Sequence, residues 1–206
     1  MNHLRPRIYL ASQSPRRREL LRQIGVHFEV LLLRCNPSRS VDVDEAPLPG
    51  ETPADYVRRV SEAKAECGVQ TLGLRRLLPL PILAADTTVT LDGAILGKPE
   101  NKAEAAAMLT RLSGRTHQVI TSVSVAHGNR METRISTSEV TFAPLTEARI
   151  HRYLLSGESL DKAGGYGIQG QAAAFIQHLS GSYSGVMGLP LCETAELLDN
   201  FGFAIP

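Results

Sequence analysis

The sequence predicts an α/β fold in which helices flank a mixed sheet. Short apolar runs of the kind that form strands occur near residues 8–11 and 82–85, and segments with helix-capping signals separate them. Asp92-Gly93 lies between two β-type segments, which predicts a hairpin and therefore antiparallel pairing. Because helices, separated strands and hairpins are mixed, a regular array of β-α-β units is not expected.

The N-terminal half is expected to alternate strands and helices. Ser14 and Pro15 fit the N-cap and first position of a helix that Gly25 ends, and Thr52-Pro53 opens a second helix. The predicted strands cover residues 8–11, 28–33, 82–86, 88–91 and 94–96, with Asp86 at the end of the third. The predicted helices cover residues 15–24, 53–66 and 102–112, and Asn101 caps the last of these.

The C-terminal half predicts two further strands, a helix, a loop dense in glycine, a strand and a last helix. Alternating valines predict a strand over 119–125, and a turn leads into a long strand over 132–142. A helix over 146–155, the loop 161–170, a strand over 173–179 and a helix over 190–201 complete the chain. No stretch is long enough to be a linker, so residues 1–206 are expected to form a single domain.

Composition narrows the classes of function. The 206 residues are 43% hydrophobic and 21% charged, with a formal net charge of +1, which is typical of a soluble globular protein. The near-zero charge and few aromatic residues argue against nucleic acid as a partner. No apolar run approaches the ~20 residues of a membrane span. Three widely spaced cysteines without a CxxC pair favour reduced thiols, so we expect a cytoplasmic protein that does not bind membranes.

The segment 12–18, Ser-Gln-Ser-Pro-Arg-Arg-Arg, lies between a predicted strand and a helix N-terminus. Free backbone N–H groups and the positive end of the helix dipole favour an anion at such a place. Ser12, Arg16 and Arg17 add donors that suit phosphate oxygens. The alternative is a capped helix whose arginines are only solvated.

Three charged residues stand in unusual surroundings. Lys64 falls on the apolar face of its predicted helix, with Val57 and Val60, so it either extends to water or points into a polar cleft. Asp86 follows a buried-type strand, where a carboxylate needs a partner; a turn aspartate bonded to a neighbouring threonine is the alternative. Lys98, after the hairpin, either meets a phosphate or is solvated.

Oxygen ligands for a divalent metal are clustered at Asp42, Asp44 and Glu45. Mg²⁺ prefers such ligands and usually takes one or two carboxylates together with substrate phosphates. A solvated acidic loop is the alternative interpretation. No HExxH motif or close pair of histidines is present, so a zinc site is not predicted.

The loop 161–170 contains a literal GxGxxG at Gly165, Gly167 and Gly170. A dinucleotide fingerprint must follow an apolar strand and open a helix, whereas this match precedes a strand, so we reject that interpretation. Glycines nevertheless permit close approach of a flat ligand to the backbone. Gln169 offers both a donor and an acceptor and could therefore read the edge of a base.

The chain resembles the Maf family of nucleoside triphosphate pyrophosphatases over nearly its whole length. The order and spacing of the motifs carry the resemblance. They are Leu10-Ala11-Ser12-Gln13-Ser14-Pro15-Arg16-Arg17, Asp42-Val43-Asp44-Glu45, Glu62-Ala63-Lys64-Ala65, Ala84-Ala85-Asp86-Thr87, Gly97-Lys98-Pro99, Leu112-Ser113-Gly114-Arg115-Thr116-His117, Asp161-Lys162-Ala163-Gly164, Tyr166-Gly167-Ile168-Gln169-Gly170 and Gly188-Leu189-Pro190-Leu191.

The resemblance implies a fold like that of the inosine triphosphate pyrophosphatases, with two lobes and a central cleft. It also implies metal-dependent cleavage of a nucleoside triphosphate to the monophosphate and pyrophosphate, with Mg²⁺, Mn²⁺ or Co²⁺. By motif position, Asp86 is implied as the catalytic carboxylate and Glu45 as a metal ligand together with Asp86. Lys64 and Lys98 are implied as triphosphate ligands that also act in catalysis with Asp86. Substrate contacts are implied for Ser12, Arg16 and Arg17.

Gln169 corresponds to the glutamine of the branch that acts on dTTP and UTP, and a homodimer is implied. Two alternatives remain open on the sequence. One is a nucleotide-binding regulator of cell division or septum formation that does not hydrolyse its ligand. The other is a pyrophosphatase for modified nucleotides such as 7-methyl-GTP. The assembled carboxylates and cations argue against the first, and the Gln169 loop argues against the second.

Overall fold

A computed structural model describes residues 7–33 and 43–205. Its seven strands form one sheet in the order β2-β1-β3-β5-β6-β7, and β4 pairs with β3. The strands are β1 (Arg7–Leu10), β2 (His27–Val30), β3 (Ile82–Leu91), β4 (Ala94–Leu96), β5 (Thr116–His127), β6 (Arg130–Phe142) and β7 (Ile176–Ser180). The helices are α1 (Pro15–Gln23), α2 (Pro53–Arg75), α3 (Lys102–Leu112), α4 (Glu147–Leu155), α5 (Tyr183–Val186) and α6 (Leu191–Asn200).

The sheet is mixed, as predicted. Strand β1 runs parallel to both β2 and β3, whereas all other pairs are antiparallel. Side chains alternate between the two faces of each strand. Tyr9 and Ile82 therefore pack with α2 on one face. Ile8 and Leu83 pack with α1 and α6 on the other. A third apolar cluster joins α3 and α4 to the far ends of β3, β5 and β6.

Helix α2 is longer than the sequence suggested. The predicted end near residue 66 is wrong, because the helix continues to Arg75. Gly68 lies in its interior, where a Cβ atom would stand 2.7 Å from Cγ2 of Ile82. The missing side chain therefore allows α2 to lie close against β3. Neither α2 nor any other helix within residues 7–33 and 43–205 is long and apolar enough to cross a membrane.

Strand β3 also runs further than predicted. Asp86 does not end the strand but lies in its middle, opposite Ser122 of β5. The threonines and valine that follow Asp86 favour extended backbone, and β5 supplies a partner for each residue from Ile82 to Thr90. Residues 82–86 and 88–91 were predicted as separate strands, but their pairing with β5 joins them into one strand.

The smaller differences lie at element ends. β2 stops at Val30, and a 3₁₀ turn over Gln171–Phe175 precedes β7. Helix α5 was not predicted, and it begins at the N-cap Ser182. The predicted caps Ser14 and Asn101 are confirmed, since each side chain accepts a backbone N–H of its helix.

Candidate active site

Lys64 lies on the side of α2 that faces the sheet, and its ammonium contacts two carboxylates. Nζ is 2.9 Å from Oδ1 of Asp86 and 3.0 Å from Oε1 of Glu45. The side chains of Lys64 and Asp86 are only 13% and 10% exposed. A buried carboxylate needs a partner of opposite charge, and Lys64 supplies it. The sequence allowed Lys64 either to extend to water or to point into a polar cleft, and the structure places it among polar groups.

Three serine hydroxyls fix α2 over the sheet beside this ion pair. Oγ of Ser61 lies 2.7 Å from Oγ of Ser122 and 2.9 Å from Oγ of Ser124. Ser122 pairs with Asp86 across the strands, and Ser61 precedes Lys64 by about one helical turn. These hydroxyl contacts therefore set the position of Lys64 relative to Asp86. Sequence reasoning missed them, although alternating serines in a buried strand were a visible signal.

The segment that carries Glu45 is held by α2. The hydroxyl of Tyr56 donates to the carbonyl oxygen of Glu45 at 3.0 Å. Arg59 donates to the carbonyl oxygens of Asp44 and Ala46 at 3.3 and 2.9 Å. The Asp44 carboxylate accepts the N–H of Ala46 at 2.9 Å and so caps a local turn. Of the two described members of the predicted acidic cluster, Glu45 contacts Lys64 and Asp44 does not, whereas Asp42 lies outside the described residues.

An ion pair also helps to hold the segment that carries Glu45. Nε and Nη2 of Arg59 donate to the two carboxylate oxygens of Glu51 at 2.6 and 2.8 Å. These hydrogen bonds, with the N–H of Leu48, lower the pKa of Glu51 to about 2. Burial raises the pKa of Tyr56, and the nearby charges of Asp86 and Glu45 raise it further, so its hydroxyl stays protonated and can donate.

The donors at this place fit a divalent cation. The carboxylates of Glu45 and Asp86 come from separate segments of the chain, and both contact Nζ of Lys64. Their oxygens therefore face a common space. Within residues 7–33 and 43–205 there is no cluster of three or more histidine, cysteine or acidic residues suited to a metal. Two carboxylates match the number of protein ligands that Mg²⁺ usually takes, and phosphate oxygens and water complete its coordination.

Arg17 is engaged by protein acceptors. Its Nε donates to the carbonyl oxygen of Gly188 at 2.7 Å, Nη1 to Oγ of Ser12 at 3.3 Å and Nη2 to Oγ1 of Thr87 at 3.2 Å. Burial lowers its pKa, whereas the charges of Asp86 and Glu45 act in the opposite direction. The guanidinium therefore joins α1 to β3 and to the chain before α6. These bonds use three of the five N–H donors of the guanidinium and leave two for a ligand.

A hydroxyl chain continues from Arg17 through the sheet. Oγ1 of Thr87 lies 2.9 Å from Oγ1 of Thr121, which donates to the carbonyl oxygen of Gly185 at 2.8 Å. Thr87 follows Asp86 directly, so the two side chains point to opposite faces of β3. Both faces of the strand next to Asp86 are therefore fixed by polar contacts, and those to Thr121 and Gly185 were not predicted.

Arg16 and Lys98 have charged groups with no hydrogen-bonded partner among the described residues, although the charge of Arg16 lowers the pKa of Asp161. Neither makes a side-chain hydrogen bond or salt bridge with the part of the chain that the structure describes. Nη2 of Arg16 lies 3.4 Å from the place a Cβ of Gly167 would take, so it faces the loop 161–170. Lys98 is exposed, and the carbonyl oxygen of its neighbour Gly97 accepts the N–H of Gly164 at 3.0 Å. The Arg16 guanidinium thus borders this loop, and the backbone beside Lys98 is hydrogen-bonded to it.

The loop 161–170, called the glycine loop below, presents Gln169. Tyr166 and Ile168 are buried, whereas Gln169 is exposed and its amide makes no side-chain hydrogen bond with the described residues. The loop leads into a 3₁₀ turn and β7, not into an α-helix, so the rejection of a dinucleotide fingerprint holds. Beneath it, Nε2 of His117 lies 2.7 Å from the Tyr166 hydroxyl, a contact that the sequence did not predict.

The structure therefore brings Lys64, Asp86 and Glu45 into direct contact. None of the other predicted site residues that the structure describes makes a hydrogen bond or salt bridge to that cluster. Ser12 and Arg17 join it through Thr87, and Arg16, Lys98 and Gln169 lie around the glycine loop.

The family model for Maf-like protein matches residues 7–201, which is nearly the entire chain. The chain belongs to the Maf-like protein family. It is 53% identical over its full length to a dTTP/UTP pyrophosphatase of Aromatoleum aromaticum, and covers all of that relative. It is 52% identical to a dTTP/UTP pyrophosphatase of Dechloromonas aromatica over 96% of this chain and 98% of the relative. For one of Ralstonia nicotianae the identity is 56% over 94% and 93%.

Among solved structures, the Ham1 protein of Staphylococcus aureus matches the Maf-like chain with a TM-score of 0.46 and 17% sequence identity. That match covers 66% of this chain and 72% of the Ham1 chain.

Proposed function

We propose that this Maf-like protein hydrolyses dTTP and UTP to the nucleoside monophosphate and pyrophosphate with a divalent metal. The observation that carries the proposal is the cluster of Lys64, Asp86 and Glu45, which combines a shielded carboxylate, a cation and a second carboxylate. The names of relatives at 52% and 53% identity over nearly the full length support the reaction and the two substrates.

A nucleoside triphosphate carries about four negative charges, so several cations must neutralise it. Arg16 and Lys98, on two separate segments beside the glycine loop, have charged groups with no hydrogen-bonded partner among the described residues. Lys64 adds a third cation from α2. These three residues are proposed to bind the triphosphate, with Ser12 and Arg17 fixing the α1 end of the site.

Asp86 is proposed as the general base. Its carboxylate accepts a proton from a water molecule while the water oxygen forms a bond to the α-phosphorus. The bond from that phosphorus to the bridging oxygen breaks, and pyrophosphate leaves with the electron pair. Lys64, Lys98 and Arg16 stabilise the charge that develops on the phosphate oxygens.

Glu45 and Asp86 would hold the metal, with Mg²⁺, Mn²⁺ or Co²⁺ as candidates. When bound, such an ion supplies positive charge to the phosphate oxygens. Without an ion, Lys64 is the cation among the described residues that contacts both carboxylates, and the charge of Arg17 lies within electrostatic range of both.

Gln169 is proposed to read the base. Uracil and thymine present an N–H donor between carbonyl acceptors, and an amide can match one of each. The exposed amide of Gln169 is free to make those bonds. We propose in addition that residues 1–206 act as a single domain and that the protein works as a cytoplasmic homodimer, a state that size-exclusion chromatography with light scattering would measure.

Pyrophosphate release from dTTP, UTP, CTP, GTP, ATP and 7-methyl-GTP tests the function. The assay is run with Mg²⁺, Mn²⁺ or Co²⁺ and with EDTA. The expected result is metal-dependent release that favours dTTP and UTP. Preference for 7-methyl-GTP would show a pyrophosphatase for modified nucleotides and would contradict the role of Gln169. Binding of nucleotides without release from any of them would favour the non-hydrolytic regulator.

A further inference from the structure

Lys162 lies across the start of the turn that carries Gln169. Its side chain is 10% exposed, and Nζ donates to the carbonyl oxygen of Glu158 at 2.8 Å and to the carboxylate of Asp161. A Cβ on Gly167 would stand 2.6 Å from Cε of Lys162. The lysine stem therefore packs directly on the backbone of Gly167, and a side chain at position 167 would displace it.

Glu158 holds the other end of the same turn. Its Oε2 accepts the N–H of Gln171 at 3.0 Å. A Cβ on Gly170 would stand 2.7 Å from Cδ of Glu158, so the carboxylate lies on the backbone there as well. A carboxylate that accepts a backbone N–H forms one of the stronger hydrogen bonds in proteins.

Between these two contacts the chain makes a tight turn. The carbonyl oxygen of Gly167 accepts the N–H of Gly170 at 3.0 Å, and Ile168 is buried in the core next to α1 and α6. Gln169 is the exposed residue of the turn. Its backbone is fixed on both sides, while its side chain is left free.

We propose that Glu158 and Lys162 are positioning residues that set nucleobase selectivity by holding the Gln169 turn. This inference rests on the proposed function, in which Gln169 reads the base. Neither residue needs to touch the nucleotide. Arg16 faces the same turn, but the cluster of Lys64 and Asp86 belongs to α2 and β3, so loosening the turn should weaken discrimination between bases more than it lowers kcat.

The test compares kcat and KM for dTTP and CTP in Glu158→Ala, Glu158→Gln and Lys162→Met. Glu158→Ala and Lys162→Met should lower the dTTP-to-CTP ratio of kcat/KM about tenfold, mainly through a higher KM for dTTP. Glu158→Gln keeps an oxygen that can accept the N–H of Gln171 and should retain the wild-type ratio. Glu66→Ala and Lys102→Met, at exposed positions on α2 and α3, are the matched controls.

Combination with Gln169→Ala separates positioning from general damage. If Glu158 acts through Gln169, adding Glu158→Ala to Gln169→Ala should change the ratio no further. An unchanged ratio in Glu158→Ala and Lys162→Met, where Gln169→Ala alone lowers it, would overturn the inference and leave the proposed function standing. Should Gln169→Ala also keep the ratio, both the base reading and this inference are wrong. Wild-type protein without pyrophosphate release would instead refute the proposed function.

Thermal unfolding of each variant accompanies the kinetics. Should Glu158→Ala fail to fold, the result for Lys162→Met decides, because methionine keeps most of the stem over Gly167 and removes only the ammonium.

Discussion

The charge of Asp86 is balanced within a small set of side chains. Its carboxylate faces Lys64, which also contacts Glu45, while Ser122 stands opposite on β5. Removing the charge of Asp86 would leave Lys64 with a remaining counter-ion in Glu45. The Asn variant should therefore fold, so its activity reports on the carboxylate itself.

Asp86→Asn should lower kcat at least ~10²-fold, because asparagine keeps the size of the side chain but cannot accept the proton from water. Pyrophosphate release from dTTP under saturating metal measures this loss. Asp92→Asn is the matched control. Asp92 is exposed in the β3–β4 turn and contacts only Arg115 among the described residues, and it should keep wild-type kcat. Near-normal turnover by Asp86→Asn would remove Asp86 from the mechanism.

At the scale of residues, the sequence was informative where a charged side chain stood among apolar neighbours. Lys64 and Asp86 were both selected because such charges need partners, and the structure places them in contact. The partners of Arg17 could not be predicted. Its carbonyl acceptor, Gly188, lies 171 residues away along the chain, and no local pattern encodes that proximity.

At the scale of elements, α2 organises the candidate site. One helix supplies the Lys64 ammonium, the Ser61 hydroxyl that contacts β5, and the Tyr56 and Arg59 donors that hold the Glu45 segment. The Glu45 carboxylate is therefore positioned by the same helix that presents its counter-ion.

Arg59→Met should weaken use of the metal, because the carbonyl oxygens beside Glu45 lose their donor. Loss of a group that orients a ligand typically costs about 10- to 100-fold in metal affinity, so the Mg²⁺ concentration for half-maximal activity should rise by about that factor. Titration of pyrophosphate release with Mg²⁺ measures it. Arg58→Met, on the exposed side of the same helix, should match wild type. Equal Mg²⁺ requirements in the two variants would contradict a role for Arg59 in placing Glu45.

Element types were predicted well, and their ends were not. Local signals such as the Ser14 and Asn101 caps gave correct helix starts. The extents of α2 and β3 depend on contacts between elements, because Gly68 lets the helix approach Ile82 and β5 pairs with β3 from Ile82 to Thr90. Such contacts join residues far apart in sequence, so periodicity within one segment could not reveal them.

At the scale of the whole molecule, His117 is a titratable group inside the core. It is 2% exposed, packs edge-on against Phe142 and contacts the hydroxyl of Tyr166. Burial lowers its pKa from 6.5 to about 4, so the folded protein favours the neutral imidazole.

Stability should therefore depend on pH through His117. Its folded-state pKa lies below its unfolded value, so its contribution is fully present above pH 6.5 and is lost as the pH falls from 6.5 towards 4. The free energy of unfolding should fall by up to about 1.4 kcal/mol per pH unit in that range. Denaturant unfolding of wild type and His117→Gln measures this, since glutamine does not titrate and can still contact Tyr166.

The difference between the two stability curves isolates the histidine. Carboxylates with a lowered pKa, such as Glu51, lose their contribution at lower pH, between 4.5 and about 2, and do so in both proteins. Curves that stay parallel between pH 6.5 and pH 4 would show that His117 is not held neutral.

The β5–β6 ladder has a consequence for how the chain reaches this fold. Twelve consecutive pairs join residues that are at most 25 apart in sequence, from His127 with Arg130 to Thr116 with Thr141. Closing such short loops costs little entropy, whereas pairing β1 with β3 must enclose all of α2. We expect the hairpin to form early on the folding pathway and the β1–β3 seam late. Substitutions at Val123 should then slow folding, while those at Leu10 should mainly speed unfolding, which stopped-flow chevron plots would measure.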